Sequence, residues 1–399
     1  MHVAMLKVTS KNWKPFASIA QLRYLAKLST KFEENPEAKM QAWQIHSYGG
    51  LDDMKLSNVR IPVIAKPNEV LIKVDASSVN PIDVAMTHGY GSKIFNFMRK
   101  TRSFNASIAD SEIEFPLTLG RDFSGVVVSK GHGVGEKVKL GDEVWGVVPI
   151  DRPGCHADYV VVDNGLVNVR PKNISYTEAS SILYAGLTAW SALWITGGLC
   201  YKTAMPARMN RRCLVLGGSG GVGTIAIQLL KAWNTHVITT CSSDAVNMLS
   251  NLGADVVIDY KDGNADDKVV SEGPYDIILD CCQQGPDKIK AKGYPHHTYI
   301  TLNSPLLKNV DQHGLIGGAV KNLGDLFKHN IPSRDNKSSV KWGFFAPSET
   351  GIKMIQELVE CGEIVPVVQK VYPFEELPRA YERVSDGHLR GKIVIDMKR

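Results

Sequence analysis

Five of the nine residues in VLGGSGGVG, Val215 to Gly223, are glycine, and the stretch lies between the apolar run CLVL and the helical pattern TIAIQLLKAW. Gly218, Gly220 and Gly223 fall in G-x-G-x-x-G register. In a strand–loop–helix unit the first glycine permits a tight turn, the second lets backbone approach a pyrophosphate, and the third lets helix and strand pack closely. The helix start adds free N–H groups and the positive end of a dipole. Ser219, Gly221 and Val222 therefore join the three glycines as candidate cofactor contacts. A second strand, HVITT, follows where such a unit requires it.

The choice of dinucleotide rests on the tip of that second strand, where NAD-selective sites place a carboxylate on the ribose 2′-hydroxyl. This chain has Thr240-Cys241-Ser242-Ser243 there. Hydroxyl and N–H groups accept a 2′-phosphate that a carboxylate would repel, so Ser242 favours NADPH. Two features oppose it: Asp244 is adjacent, and no Arg or Lys follows within several residues to supply countercharge. Ser242 also suits the cap of the next helix.

The surrounding elements divide by rhythm. From Met40 to about Arg170, short alternating stretches such as EVLIKVDASSV, FSGVVV and DEVWGVV predict a small antiparallel β-barrel. From about Ser175, apolar strands alternate with helical patterns, which predicts a parallel sheet covered on both faces. The last fifty residues predict helix, strand, helix and a closing strand able to return to the barrel. Residues 91–115 are weakly patterned and predict a loop, in which Phe95, Phe97 and Met98 could cover a pocket. Trp342, Phe344 and Phe345 could wall that pocket or fill a core.

Charge narrows the function classes. The chain of 399 residues carries a net charge of +5, but six cations, Lys7, Lys11, Lys14, Arg23, Lys27 and Lys31, precede the first acid, Glu33. Setting those six aside turns +5 into −1, which removes the basic excess that nucleic acid would require. A basic, Ser- and Thr-containing, acid-free leader over residues 1–38 predicts a mitochondrial transit peptide. The seven cysteines show no metal-binding spacing, and no apolar run has the length of a membrane span. Cys281 and Cys282 read as small buried apolar residues.

Seven motifs occur in one order: VNPIDV (79–84), EFPLTLGRDFSGVVV (114–128), GDEVWG (141–146), LTAW (187–190), GGSGGVG (217–223), LGADVVIDY (252–260) and HLRGKIVI (388–395). Together they resemble the zinc-free quinone oxidoreductase branch of the medium-chain dehydrogenases/reductases, over residues 40–399. The resemblance implies an α/β fold: a GroES-like catalytic barrel at 39–175 completed by 347–399, and a Rossmann NADPH-binding domain, a doubly wound parallel sheet, at 176–346. It also implies Thr188, Tyr260, Leu302, His388, Leu389 and Arg390 as further cofactor contacts. Zinc-dependent relatives have a cysteine ligand near Asn80-Pro81 and a G-H-E whose histidine binds zinc, where this chain has Asn80 and Gly120-Arg121-Asp122. No metal site is expected.

Hydride transfer without a metal suits a conjugated acceptor, whose developing oxyanion needs a hydrogen-bond donor. The resemblance places Asn80 there, and Tyr90 in HGYG is a second donor candidate. Asp83 could orient the loop, and Arg121 with Asp122 reads as a structural ion pair. Relatives have Asp-x-Val-Gly near the nicotinamide ribose, whereas this chain has Asp280-Cys281-Cys282-Gln283, which puts the cofactor's seating in question. The expected function is mitochondrial NADPH-dependent reduction of quinones or similar conjugated carbonyls. Enoyl-thioester reduction, or an NADPH-bound interaction protein with little turnover, are the alternatives. A homodimer, peripheral membrane contact and a reticulon-type membrane partner are implied by the resemblance alone.

Overall fold

The computed structural model describes residues 38–102, 114–199, 211–331 and 338–398. The leader up to residue 37, and most of the second half of the 91–115 segment, lie outside them.

The barrel is organised around Glu69–Val79, in which Val70, Ile72, Val74, Ala76 and Val79 are buried. This strand pairs antiparallel with Asp122–Lys130, with Tyr159–Asp163 and with the closing strand Lys392–Asp396. The last pairing sets Ile393 opposite Val79, so the C-terminus does return to the barrel. One consequence matters for chemistry: Asn80, just beyond Val79, is brought beside Lys392.

The second sheet holds six parallel strands in the spatial order Val256–Asp259, His236–Cys241, Arg212–Leu216, Tyr275–Asp280, His296–Thr301 and Ser339–Trp342. Successive side chains of a strand face opposite ways. Cys213 and Val215 therefore pack in one layer with Ile225 and Leu229 of the helix Gly221–Ala232, and Leu214 and Leu216 pack in the other. Strand order reverses at Arg212–Leu216, and the crevice beyond the carboxyl ends of the strands at such a point is where doubly wound sheets bind ligands.

The 91–115 segment departs from the expected loop: Ser92–Arg102 is a helix. Phe95 is 2% exposed and belongs to the barrel core, with Ile94 and Met98 packed against that core, while Phe97 is half exposed. Four apolar residues, one of them half exposed, on a short, strongly basic helix give too weak a period to stand out in the sequence. Ser339–Trp342 and the long helix Leu306–Asn330, broken at Gly314 with φ 74°, are also parts of the fold that the sequence pattern left unassigned. No helix of the described residues is long and apolar enough to cross a membrane.

Candidate active site

The glycine loop leaves the carboxyl end of Arg212–Leu216, and Gly220 is the N-cap of Gly221–Ala232. A Cβ on Gly223 would lie 2.5 Å from the Gly217 carbonyl oxygen, and one on Gly218 would lie 2.0 Å from Thr239 Oγ1. Gly223 is required by the close approach of the helix to the turn, and Gly218 by the neighbouring strand. Gly220 differs: the only atom within 4 Å of a Cβ there is the Gly217 oxygen, at 3.9 Å. That open side, with the N–H groups of the first helical residues Gly221, Val222 and Gly223 lacking intrahelical acceptors, suits an anion. The left-handed residue of the turn is Gly217, φ 77°, immediately before the register.

The residues before the closing strand lie across this loop. Gly391 N–H donates to the Ser219 carbonyl (2.8 Å), and Gly220 bridges Gly391. Arg390 then reaches the tip of His236–Cys241. Its Nη2 donates to Ser242 Oγ (2.6 Å), its Nη1 to Ser219 Oγ (3.3 Å), and its Nε and Nη2 to the two oxygens of Asp244 (2.9 and 2.8 Å). The countercharge missing from the local sequence is thus supplied from 148 residues away. His388 and Leu389 contribute their carbonyls to the same guanidinium, at 3.2 and 3.1 Å. His388 itself has φ 49°, a left-handed bend rare outside glycine.

Asn80 precedes Pro81 and caps Pro81–Thr87; its extended φ of −115° is the conformation a residue before proline prefers. Asp83 joins two of the sequence motifs: one carboxylate oxygen accepts from Asn80 N–H (2.9 Å), the other from Gly120 N–H (2.9 Å). Arg121 pairs with Asp83 (Nε to Oδ1, 3.6 Å) rather than with Asp122, and its Nη1 holds the carbonyls of Pro149 and Arg152. This corrects the expected ion pair. Asp122 instead accepts from Ser78 Oγ (2.6 Å), Asn80 Nδ2 (3.1 Å) and Tyr184 N–H (3.3 Å). Lys392 Nζ donates to Asn80 Oδ1 (2.5 Å) and to the Val79 carbonyl (3.1 Å).

Two carboxylates and two cations are therefore buried together: Asp83, Asp122, Arg121 and Lys392 are each at most 5% exposed. Burial pulls the Lys392 ammonium below the usual lysine range, and Asp122 and then Asp83 pull it back up. Removing one member would leave an uncompensated charge in the interior.

Tyr90 is held between Gly89 and Gly91, with φ 81° and 77°, and Asp311 accepts the Gly91 N–H (2.6 Å). Burial first, and Asp311 second, raise its hydroxyl pKa, so the phenol stays a proton donor. Tyr184 was not anticipated from the sequence. Burial raises its hydroxyl pKa as well, with Tyr90 among the smaller causes, and its ring stacks on Phe345 at 4.2 Å and 17°. Phe345, Met98, Pro149 and Ile150 line a cavity of about 730 Å³; neither Asn80 nor the glycine loop lines it.

The remaining candidates are spread around this centre. Thr188 Oγ1 is used by the Tyr184 carbonyl one turn earlier (2.8 Å). Tyr260 is half exposed, with its N–H on the Cys241 carbonyl (3.0 Å) beside Ser242. Leu302 N–H donates to the Asp280 carbonyl (3.3 Å), and its side chain lies close over Gly343. Gln283 takes a left-handed turn with φ 61°. Asp280 secures that turn by accepting from Cys282 N–H and Gly285 N–H. Cys282 is exposed rather than buried, and partial desolvation of its sulfur, with Asp280 beside it, raises the thiol pKa. Lys392 and Tyr184 are the site residues that sequence reasoning missed. The available signals were a lysine inside the buried strand KIVID and a tyrosine four residues before Thr188.

Comparison with known proteins agrees with this architecture. The alcohol dehydrogenase GroES-like domain profile matches residues 66–172, and the profile described as zinc-binding dehydrogenase matches 252–395. A zinc ion does not fit the residues at Asn80: Oδ1 already accepts from an ammonium, and Arg121 adds a second cation. Among the described residues, no three of His, Cys, Asp or Glu form a group that could hold a metal. The mitochondrial NAD(P)H oxidoreductase RTN4IP1 of Drosophila melanogaster is 47% identical over 367 residues, covering 90% of this chain and 87% of that protein. The mitochondrial reticulon-4-interacting protein 1 of Caenorhabditis elegans is 35% identical, covering 92% and 97%. The quinone oxidoreductase from Coxiella burnetii superposes with a TM-score of 0.68 at 26% identity, over 90% of this chain and all of that one. The chain belongs to the medium-chain dehydrogenase/reductase superfamily, in the NAD(P)H oxidoreductase family of these mitochondrial relatives.

Proposed function

We propose that the chain is a mitochondrial NADPH oxidoreductase that passes hydride, without a metal, to quinones or similar conjugated carbonyls. The observation that carries the cofactor choice is Arg390, whose guanidinium bridges Ser219 of the glycine loop and Ser242 at the second strand tip. A ribose 2′-phosphate at Ser242 meets a planar cation suited to bidentate contact with its oxygens. Asp244 holds that cation until the phosphate takes its place. Gly218 to Gly223 cradle the pyrophosphate, with Thr188, Tyr260, Leu302, His388 and Leu389 completing the cofactor's surroundings. The division into a barrel at 39–175 with 347–399, and a cofactor domain at 176–346, goes with this reading.

With its pyrophosphate held by Gly218 to Gly223, a bound NADPH would supply the hydride. The chain then has to stabilise negative charge on the acceptor's oxygen. Asn80 does so through its amide, and Tyr90, kept protonated, donates the proton. A preorganised donor in a site shielded from water costs no reorganisation as charge develops. The names of the relatives support the redox class and the mitochondrial location. The reticulon partner rests on the name of the Caenorhabditis elegans relative, and the homodimer on the family resemblance alone.

The test compares initial rates of NADPH and NADH oxidation with a small para-quinone and with a short enoyl thioester. NADPH with the quinone is expected to be the fastest pair. Absence of turnover with every conjugated acceptor contradicts the enzyme assignment, and faster thioester reduction transfers the site to acyl chains.

A further inference from the structure

We infer that Lys392 is the positioning residue of this site, fixing the Asn80 amide so that one Nδ2 proton remains directed to the acceptor. This rests on the proposed oxyanion role of Asn80. An ammonium has only donors and an ionised carboxylate only acceptors. Lys392 on one side and Asp122 on the other therefore leave the amide a single orientation, with Oδ1 toward the lysine and Nδ2 toward the aspartate. Nδ2 carries two protons, and Asp122 takes one. The second is the group an acceptor oxygen can use. Withdrawal of electron density from Oδ1 by the cation also makes the amide a stronger donor, since neighbouring hydrogen bonds polarise one another.

The same lysine ties the amide to the cofactor side. A Cβ on Gly221 would lie 2.7 Å from Lys392 Cδ, so the lysine stem passes directly against the first residue of the loop helix. Its Nζ also holds the Val79 carbonyl, the residue before Asn80. The glycine loop, the closing strand and Asn80 are thus in register through one side chain that is 5% exposed. Lys392 and Asn80 are 312 positions apart in sequence.

The experiment uses the full-length protein in a double-mutant cycle of Lys392→Met and Asn80→Ala. Lys392→Met alone is expected to lower kcat with a small quinone at least tenfold while the KM for NADPH changes less than threefold. In the Asn80→Ala background the same change is expected to alter kcat less than twofold. An unchanged kcat, or an equal loss in both backgrounds, overturns the inference, because a merely structural lysine acts on both alike. Should Lys392→Met not fold, Lys392→Arg, which keeps the charge but displaces the donor, is read by the same criteria. A spectroscopic readout separates this inference from the proposed reaction. The side-chain 15N–1H signals of Asn80, identified by their loss in Asn80→Ala, are expected to move in the lysine variant whether or not the enzyme turns over a quinone. Unmoved signals contradict the inference, whereas inactivity of the native protein toward every acceptor contradicts only the proposed function.

Discussion

Replacing Arg390 by alanine removes the one cation that joins Ser219, Ser242 and Asp244. Hydrogen bonds to a charged group contribute about 1.5–3 kcal/mol each. The Arg390 side chain is 23% exposed and its pair with Asp244 lies at the surface, so solvent screening limits what a second contact adds. We therefore take the loss on NADPH binding as that of a single charge-assisted contact, which corresponds to roughly a 10- to 150-fold rise in Kd. NADH has no 2′-phosphate and is expected to change less than about threefold. Titration of each cofactor against the native and Arg390→Ala proteins, by quenching of tryptophan fluorescence, measures both constants. Asp244→Ala is expected to act in the opposite sense, because the carboxylate no longer competes for the guanidinium. Equal losses for the two cofactors in Arg390→Ala would refute the placement of the phosphate. So would an unchanged NADPH affinity.

Two further perturbations follow from local geometry. Gln283→Gly relieves a left-handed residue worth about 1–2 kcal/mol and adds about 0.5–1 kcal/mol of unfolded-state freedom, so a small net gain in melting temperature is expected; a fall instead would show that Gln283 makes a contact outweighing its strain. His156 is fully buried, accepting from the Tyr381 hydroxyl at Nδ1 (3.0 Å) and donating from Nε2 to the Ser78 carbonyl (3.3 Å), and burial lowers its pKa to about 3. The unfolded chain takes up that proton near pH 6.5 and the folded one does not, so stability should fall as pH drops from about 6.5 toward 3, by at most ~1.4 kcal/mol per unit. Urea unfolding at pH 7 and pH 5 checks this, and the decline should be shallower in His156→Gln; identical declines would contradict it.

What could be read in the sequence was what is local in the chain. Gly218, Gly220 and Gly223 announce themselves because the loop, its strand and its helix are contiguous, and the period-two strands of the barrel do so for the same reason. The pairings that give the site its chemistry are long-range. Arg390 reaches Ser242 and Lys392 reaches Asn80 only because Lys392–Asp396 returns to pair with Glu69–Val79. A lysine in the buried strand KIVID is locally conspicuous, but nothing near it in the chain names Asn80 as its partner. The sequence suggests that Asp83 orients a loop, but its two partners, Asn80 and Gly120, and its pairing with Arg121 depend on how the loops fold together. The helix Ser92–Arg102 was missed because its buried face is only Ile94, Phe95 and Met98 beneath a basic surface.

In the proposed function Asn80, in place of a metal, stabilises the oxyanion of a conjugated acceptor reduced by NADPH. Steady-state quinone reduction by the native protein and by Asn80→Ala, with NADPH saturating, tests it most directly. Loss of one such donor costs about 10²–10³ in kcat, so a fall of that order with NADPH affinity preserved is the predicted result. An Asn80→Ala protein that keeps kcat within a few-fold of the native value would contradict it.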